Sequence, residues 1–474
     1  MIRSRPTRRR ARPLLLDTAP PSCAGTSGHR RDRVAVRERD QRQCRTPGLA
    51  PYRRVRLVKV PPATAAERDV GYPEAGLAHF RGVCPVSGGD CARVGCGTLG
   101  VVTVDTRVEH VGSLLRPRFL RDAREAYNRG ELTPAEFKVA EDRAVREIVA
   151  MQEELGLPVV GDGEMRRESF QSGLTAACDG FTGVDVNAWL WGAWHSAEVG
   201  DVTIARPAGL AVIALRKRRN LAAEEFTFLR GCTSRQAKIT LPSPSLFANL
   251  WSPQHSAAAY PTLDAFLADV VQVLCDEVRE LVRLGCTYIQ LDAPHYPLLI
   301  DPAWRAFYEE RGWPLERWLG YGIELDNAVI DAGRPATFGF HLCRGNQLSR
   351  WLVSGGYDAI AAPVFGRVHA DRLLLEYDDE RSGTFDPLRL VPDGKVVVLG
   401  LVTTKTSQIE PLEQIKARLR EASSLIDAER LALSPQCGFA TSVAGNAITP
   451  EAQRAKLALL VRAARDFLPT STAT

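Results

Sequence analysis

The chain has 474 residues, of which 45% are hydrophobic and 25% are charged, so it is long enough for a large globular domain with extensions. Residues 1–100 carry 20 Lys and Arg against 8 Asp and Glu. The whole chain has 61 Lys and Arg and 56 Asp and Glu, so the remainder of the chain is mildly acidic. Nucleic acid is therefore not expected as a partner. The 11 cysteines are too sparse for a disulfide framework, and no apolar run approaches the ~20 residues of a membrane span, which together predict a soluble, cytoplasmic protein without a membrane partner.

Residues 1–104 show neither helical nor strand periodicity and are rich in Arg, Pro and Gly. This composition predicts a disordered extension. The functional alternative is a basic arm or a transit peptide, and a basic arm for nucleic acid would make the protein a non-catalytic binder. Cys91 and Cys96 suggest a metal pair, but they lack a second pair at a suitable spacing. We therefore expect the extension to be dispensable.

From residue 105 onward, strand-like runs alternate with runs of helical periodicity, such as residues 263–285, 302–333 and 413–428. The strand candidates cover residues 108–113, 157–164, 237–241, 288–293, 337–343, 372–377, 395–402 and 431–437. Eight strands that alternate with helices predict an α/β fold, a (β/α)8 TIM barrel over residues 105–474. A doubly wound open sheet is the alternative, and it fits less well because no Gly-rich phosphate loop follows any strand.

The interval of about 171–236 is too long for a single crossover helix. It holds Trp189, Trp191 and Trp194 and the basic run at residues 216–219. We interpret it as an excursion that would cover the mouth of the barrel. Local packing of the aromatic residues and a solvated basic face are the simpler alternatives.

Polar side chains stand at or just after the end of nearly every predicted strand, and the carboxyl ends of the strands are where TIM barrels carry their chemistry. These residues are Ser113, Ser243, Glu164, Asp292, His341, Cys343, Glu376, Lys405 and Cys437. Structural polar residues would be scattered instead of lining up at one end. The pattern therefore predicts a functional site at this end of the barrel.

His341 and Cys343 lie two residues apart, so both side chains can project from the same face of one strand end. With Glu376 and Cys437 they supply an imidazole, two thiolates and a carboxylate, which is a four-coordinate zinc set. A buried cysteine beside a satisfied histidine is the alternative for the first pair taken alone. Zinc has no redox chemistry, so its expected task is to hold a substrate thiol as the nucleophilic thiolate for alkyl transfer to sulfur, with Glu376 giving way to that thiol.

Ser113, Glu164 and Asp292 are expected to hold the rest of the substrate. Two carboxylates suit an ammonium group, and a serine hydroxyl with nearby backbone N–H groups suits a carboxylate. Together they describe an α-amino acid that carries a thiol. For each residue taken singly, the alternative is a helix or loop cap at the rim of the barrel.

Five stretches, in this order, resemble the catalytic barrel of cobalamin-independent methionine synthase, and look closest to its short, single-barrel members: residues 110–113, 162–167, 289–292, 341–346 and 434–438. The resemblance covers roughly residues 105–465. It implies a zinc-dependent methyltransferase of methionine biosynthesis that acts on homocysteine. It also implies that His341, Cys343, Glu376 and Cys437 are zinc ligands and that Ser113, Glu164 and Asp292 bind homocysteine.

Two features depart from the long family members. Residues 1–104 cannot be the second, N-terminal barrel that contributes to folate-polyglutamate binding there. Lys405 stands where the long members have a histidine that is thought to protonate the departing folate nitrogen, and an ammonium with a pKa of ~10.4 is a poorer acid. Lys405 is nevertheless predicted to be catalytic, together with Asp292. The expected methyl donor is methyltetrahydrofolate or a methylcorrinoid. The alternative is an alkyltransferase that uses another thiol or donor, as the epoxide–coenzyme M transferases do.

Overall fold

The computed structural model describes residues 106–181, 191–204 and 212–468. The extension predicted for residues 1–104 lies outside these ranges, and so does Trp189. Among the helices within them, none is both long enough and apolar enough to cross a membrane.

Eight parallel strand positions form the centre of the molecule. They are β1 (a single bridge at Val108), β2 (Val159–Val160), β3 (Gln236–Ala237 and Ile239–Pro242), β4 (Tyr288–Asp292), β5 (Thr337–Leu342), β6 (Arg372–Glu376), β7 (Val396–Val402) and β8 (Leu431–Pro435). Strands β3 to β8 pair in chain order as one six-stranded sheet. β2 pairs with β3, and Val108 of β1 pairs with Leu433 of β8. Leu114 N donates to Gly163 O at 3.0 Å and joins the segments after β1 and β2.

These pairings close the sheet on itself. The predicted barrel is therefore confirmed, and the alternative of a doubly wound open sheet is not. Every residue of β4, β5, β6 and β8 is buried, as expected for parallel strands that are covered on both faces. Because all the strands run in the same direction, their carboxyl ends meet at one end of the barrel.

The helices that follow the strands confirm the periodicity seen in the sequence. They are α1 (Arg118–Asn128), α2 (Pro134–Glu154), α3 (Ser172–Ala177), α4 (Leu221–Arg230), α5 (Leu263–Arg283), α6 (His295–Leu298), α7 (Pro302–Glu309), α8 (Leu315–Arg317), α9 (Ile323–Ala332), α10 (Asp358–Arg367), α11 (Leu412–Ser423) and α12 (Pro450–Phe467). A π-helical turn at Trp318–Gly322 joins α8 to α9. Between β6 and β7, where every residue is described, the chain crosses through the 3-10 turns Glu380–Ser382 and Asp386–Leu390 instead of an α-helix.

Two small antiparallel strand pairs lie between β2 and β3. Cys178–Phe181 pairs with Val212–Lys217, and Gly192–Trp194 pairs with Val202–Ile204. We call residues 191–204 the roof hairpin. His195 N donates to Trp351 O at 2.9 Å, and Trp351 N donates to His195 O at 3.0 Å, so the hairpin is bound to the segment after β5.

A buried polar network fills the barrel interior near the start of the strands. Glu109 accepts from Lys238 Nζ at 2.8 Å, from Arg372 Nη2 at 2.9 Å and from Tyr288 OH at 2.8 Å. Burial alone would raise the pKa of Glu109, but Lys238 and Arg372 lower it to about 2. Lys238 Nζ also donates to Gln290 Oε1 at 2.9 Å. The network is therefore an ion cluster with hydrogen-bonded partners, which is the form that buried charges require.

Candidate metal centre and active site

A cavity of about 730 Å³, part of it open to solvent, lies at the carboxyl ends of the barrel strands. Six of the predicted site residues line it: Ser113, Glu164, Asp292, His341, Cys343 and Cys437. Trp194 of the roof hairpin also lines it, so part of the predicted excursion lies at the mouth of the barrel. Glu376 and Lys405 are not among the described residues of its wall.

Three ligand-type side chains converge at one side of this cavity. His341 lies in β5, Cys343 follows that strand directly, and Cys437 follows β8. Their ligand atoms all lie within 4.8 Å of one another, and the two sulfur atoms are 3.8 Å apart. Within the described chain, neither ring nitrogen of His341 has a nitrogen or oxygen partner, although the residue is buried. Since buried polar atoms are normally paired, this arrangement fits a bound metal ion.

The charge of the pair Cys343 and Cys437 also favours a bound metal ion. The hydrogen bond from Cys343 and the neighbouring His341 imidazole hold the pKa of Cys437 well below its usual value, although burial opposes this. The pKa of Cys343 is raised because its proton is shared with Cys437 in a buried position. One thiolate is thus favoured in a buried site, where a cation would neutralise it.

Glu376, the predicted fourth ligand, is not brought into this group of three. It is the last residue of β6 and is fully buried. Its carboxylate accepts from the backbone N–H of Arg344 at 2.5 Å and from Arg381 Nη2 at 2.6 Å. Burial alone would raise the pKa of Glu376, but Lys405 and Arg381 hold it well below the usual range. The carboxylate is therefore held by cations, and its role as a ligand stays a prediction.

Lys405 belongs to the same buried ion cluster. Its Nζ lies 3.0 Å from Asp378 Oδ2 and 3.5 Å from Glu376 Oε1. Burial would lower the pKa of Lys405, but the two carboxylates raise it above its usual value. The side chain is thus held as an ammonium and away from the cavity wall, and its role as a proton donor stays a prediction. No pattern in the sequence marks the pairing of Lys405 with Asp378.

Glu164 presents its carboxylate to the cavity from a strained turn after β2. Its backbone φ is 57°, and Asp162 Oδ1 accepts from its N–H at 2.9 Å. Thr240 Oγ1 donates to Glu164 Oε1 at 2.9 Å, whereas Oε2 has no partner among the described residues. Burial raises the pKa of Glu164. Positive φ at a non-glycine residue persists where the surroundings impose it, often at a functional site.

Asp292, the last residue of β4, supplies the second carboxylate. Gln290 Nε2 donates to its Oδ1 at 2.7 Å, and so connects it to the buried network around Lys238. Burial raises the pKa of Asp292 to about 7. A cationic ligand between these two carboxylates would favour their ionised forms, so the pair suits an ammonium group.

Two glycines, whose steric role the sequence did not reveal, allow the strand ends to approach each other. A Cβ atom on Gly438 would lie 2.0 Å from Ser113 Oγ, and a Cβ atom on Gly112 would lie 2.8 Å from Glu164 Oε1. Phe439 N also donates to Ser113 O at 2.8 Å. Ser113 and Glu164 can occupy their positions only because both glycines lack a side chain.

Part of the cavity wall comes from loop residues that no periodic pattern marks. These are Ser169, Phe170, Gln171, Asn346, Gln347, Thr441 and Ser442. Asn346 Nδ2 donates to Thr404 Oγ1 at 3.1 Å and to Gly438 O at 2.7 Å, while Asn446 Nδ2 donates to Asn346 Oδ1 at 3.0 Å. These amides tie together the loops after β5, β7 and β8. A sequence signal existed only for Asn346, which ends the motif at residues 341–346.

Comparison with known proteins identifies relatives of this arrangement. The family described as cobalamin-independent synthase, catalytic domain, matches residues 106–466. The chain is 33% identical over 371 residues to the uncharacterized protein YxjH of Bacillus subtilis, covering 76% of this chain and 94% of that one. It is 26% identical over 331 residues to the methionine synthase of Pyrococcus abyssi, covering 69% and 85%. The putative vitamin-B12 independent methionine synthase structure from Listeria monocytogenes superposes with a TM-score of 0.58 at 26% identity, covering 77% and 98%.

Proposed function

Because the chain belongs to the family of the cobalamin-independent synthase catalytic domain, a family of methyltransferases, we propose that it is a zinc-dependent S-methyltransferase that forms methionine from homocysteine. The observation that carries the proposal is the convergence of His341, Cys343 and Cys437 on one side of a cavity that also holds two carboxylates. The similarity to a methionine synthase of Pyrococcus abyssi supports the choice of thiol.

His341, Cys343 and Cys437 would hold the zinc ion, with Glu376 as the fourth ligand in the absence of substrate. To take that place, Glu376 has to give up contacts to Arg381 and to the Arg344 N–H. When bound, zinc would keep the sulfur of the substrate as a thiolate near neutral pH. The two cysteine ligands suit this task better than the activation of water, which zinc usually carries out with histidine and carboxylate ligands.

The protein's own residues would bind and orient the amino acid. Glu164 and Asp292 receive the ammonium group, and the hydroxyl of Ser113 with nearby backbone N–H groups receives the carboxylate. Trp194 of the roof hairpin lines the cavity and would limit the entry of water. During transfer a C–S bond forms while the bond between the methyl carbon and the donor breaks, and the leaving atom keeps the electron pair.

The methyl donor is proposed to be methyltetrahydrofolate or a methylcorrinoid. A folate nitrogen would need a proton when it leaves, and Lys405 is the proposed source. Lys405 would first have to separate from Asp378. The alternative thiol, coenzyme M, carries a sulfonate, and two buried carboxylates on the cavity wall would repel it.

The test combines metal analysis with product analysis on matched variants. Wild-type protein should bind one zinc ion and form methionine from homocysteine with at least one of the two donors. Cys343→Ser and Cys437→Ser should lose zinc and activity together. Cys286→Ser is the control, because Cys286 is buried but lies outside the metal group. Stoichiometric zinc in both ligand variants would overturn the assignment of the ligands.

A further inference from the structure

Two buried polar side chains on the cavity wall have no part in the proposed binding of homocysteine. Ser169 is 5% exposed and Gln171 is 3% exposed. Both line the cavity, and Ser169 Oγ and Gln171 Oε1 lack hydrogen-bond partners among the described residues. A buried polar atom without a partner is unfavourable unless a ligand or water satisfies it.

Hydrogen bonds hold the backbone that carries both side chains at the cavity. Ser169 N donates to Ser172 Oγ at 3.2 Å, and Ser172 N donates to Ser169 O at 3.0 Å. Between the two residues, Phe170 N donates to Thr441 O at 3.1 Å. The segment is therefore held by the start of α3 on one side and by the loop after β8 on the other. The backbone that carries the two side chains is thus preorganised for a ligand, and preorganisation reduces the entropy lost on binding.

Apart from the metal group of His341, Cys343 and Cys437, the surroundings of this pair are uncharged or acidic. The described residues of the cavity wall include Glu164 and Asp292 but neither Lys nor Arg. The nearby Arg167 is directed elsewhere: its Nη2 donates to Glu225 Oε2 at 2.6 Å and to Thr240 O at 2.8 Å. A hydroxyl and a carboxamide in such surroundings favour a neutral group that both donates and accepts hydrogen bonds.

We propose that Ser169 and Gln171 form the subsite for the methyl donor and recognise an uncharged amide-like part of it. Both the carboxamide side chains of a corrinoid and the amide edge of a pterin have this chemistry. The inference rests on the proposed function, since it assigns Ser113, Glu164 and Asp292 to homocysteine and leaves this pair for the second substrate. The subsite binds the donor and takes no part in bond making or breaking.

The test measures the binding of each substrate to the zinc-loaded, full-length protein by titration calorimetry. Homocysteine is titrated first, and then methylcobalamin and monoglutamyl methyltetrahydrofolate are titrated separately into the homocysteine complex. The variants are Gln171→Leu and Ser169→Ala, with Gln414→Leu on the exposed surface of α11 as the matched control. At least one donor should bind the wild type, and each subsite variant should weaken that binding by about tenfold or more while homocysteine affinity stays within twofold.

The outcomes separate this inference from the proposed function. If homocysteine binds but neither donor does, the donor subsite is wrong and the thiol site stands. If homocysteine and donor affinities fall by the same factor in Gln171→Leu and Ser169→Ala, the pair has only a structural role. If homocysteine does not bind at all to the zinc-loaded wild type, the proposed function itself fails. Unchanged donor affinity in both variants would also overturn the subsite, and the responding donor tells corrinoid from pterin.

Discussion

Gly112→Ala is expected to displace the carboxylate of Glu164 without touching the metal group. The new Cβ would lie 2.8 Å from Glu164 Oε1 and 3.2 Å from Thr240 Cγ2, whereas ordinary contact begins at 3.4 Å. Glu164 Oε1 must therefore move by about 0.6 Å, the difference between 3.4 and 2.8 Å. Gly112 is not among the residues with positive φ, so the effect is steric and not conformational.

The size of the effect follows from the displacement. Misplacing a binding group by 1 Å can reduce catalysis by about 10²-fold, so a shift of about 0.6 Å predicts a loss of roughly tenfold, or ~1.4 kcal/mol. The shift also strains the hydrogen bond from Thr240 Oγ1 to Glu164 Oε1, which is 2.9 Å long. The loss should appear as a higher KM for homocysteine, because Glu164 is proposed to hold its ammonium group.

The assay is steady-state methionine formation with homocysteine varied at a saturating concentration of the donor, together with zinc analysis. Gly366→Ala in α10 is the control, because a Cβ there meets nothing within 4 Å. The control should leave KM unchanged, and both variants should retain zinc. A KM within twofold of wild type in a stably folded Gly112→Ala protein would refute contact between Glu164 and the ammonium group.

Three further predictions concern the barrel that supports the site, each measured by urea unfolding. Lys238→Met leaves Glu109 short of one buried cation, and we expect the free energy of unfolding to fall by about 3–5 kcal/mol. Gly345→Ala places a Cβ 2.8 Å from Leu352 Cβ at a backbone φ of +88°, and should destabilise the fold by more than about 1 kcal/mol. Burial raises the pKa of Asp326 from 3.8 to about 7, so the folded state keeps this proton to a higher pH than the unfolded state does. The free energy of unfolding should therefore fall as the pH rises from about 4 to 7. Asp326→Asn should remove that part of the pH dependence, up to about 1.4 kcal/mol per pH unit.

Each of these has its own control. Lys138→Met breaks a pair between the exposed Lys138 and the half-buried Asp142, and it should change stability by less than about 1 kcal/mol. Equal losses in the two lysine variants would contradict the importance of burial. Gly366→Ala serves again for Gly345→Ala, and equal stability of the two would mean that the loop after β5 relaxes freely. Identical slopes of stability against pH in wild type and Asp326→Asn would show that Asp326 titrates normally.

The barrel could be predicted because the sequence patterns that indicate its strands and helices are local. Alternating strand and helix periodicities need no knowledge of distant contacts, and the spacing of His341 and Cys343 fixes their common face once a strand is assigned. Cys437 could be added because the carboxyl ends of parallel strands meet at one end of a barrel. Strand ends were predicted less accurately: β8 stops at Pro435, two residues before Cys437, where the predicted strand ended.

Other parts of the site depend on contacts that no local pattern encodes. Glu376 was correctly placed at the end of a strand, but its pairing with Arg381 and Lys405 arises from an irregular crossover and from a neighbouring loop. The same holds for the roof hairpin, whose backbone pairs with Trp351 about 150 residues further along the chain. The steric role of Gly112 becomes visible only when the side chain of Glu164 is in place.

The hydrogen bond from Gln290 to Asp292 has a consequence for protein engineering. Because Gln290 bonds to Lys238 as well as to Asp292, the residue proposed to grip the amino acid is anchored in the charged interior of the barrel. A designer who wished to install this pocket in another scaffold would have to transplant that interior with it. Conversely, replacing the charged interior with hydrocarbon side chains for greater heat resistance would alter how Asp292 is held, so selection for thermostability and for substrate preference cannot proceed independently in this barrel.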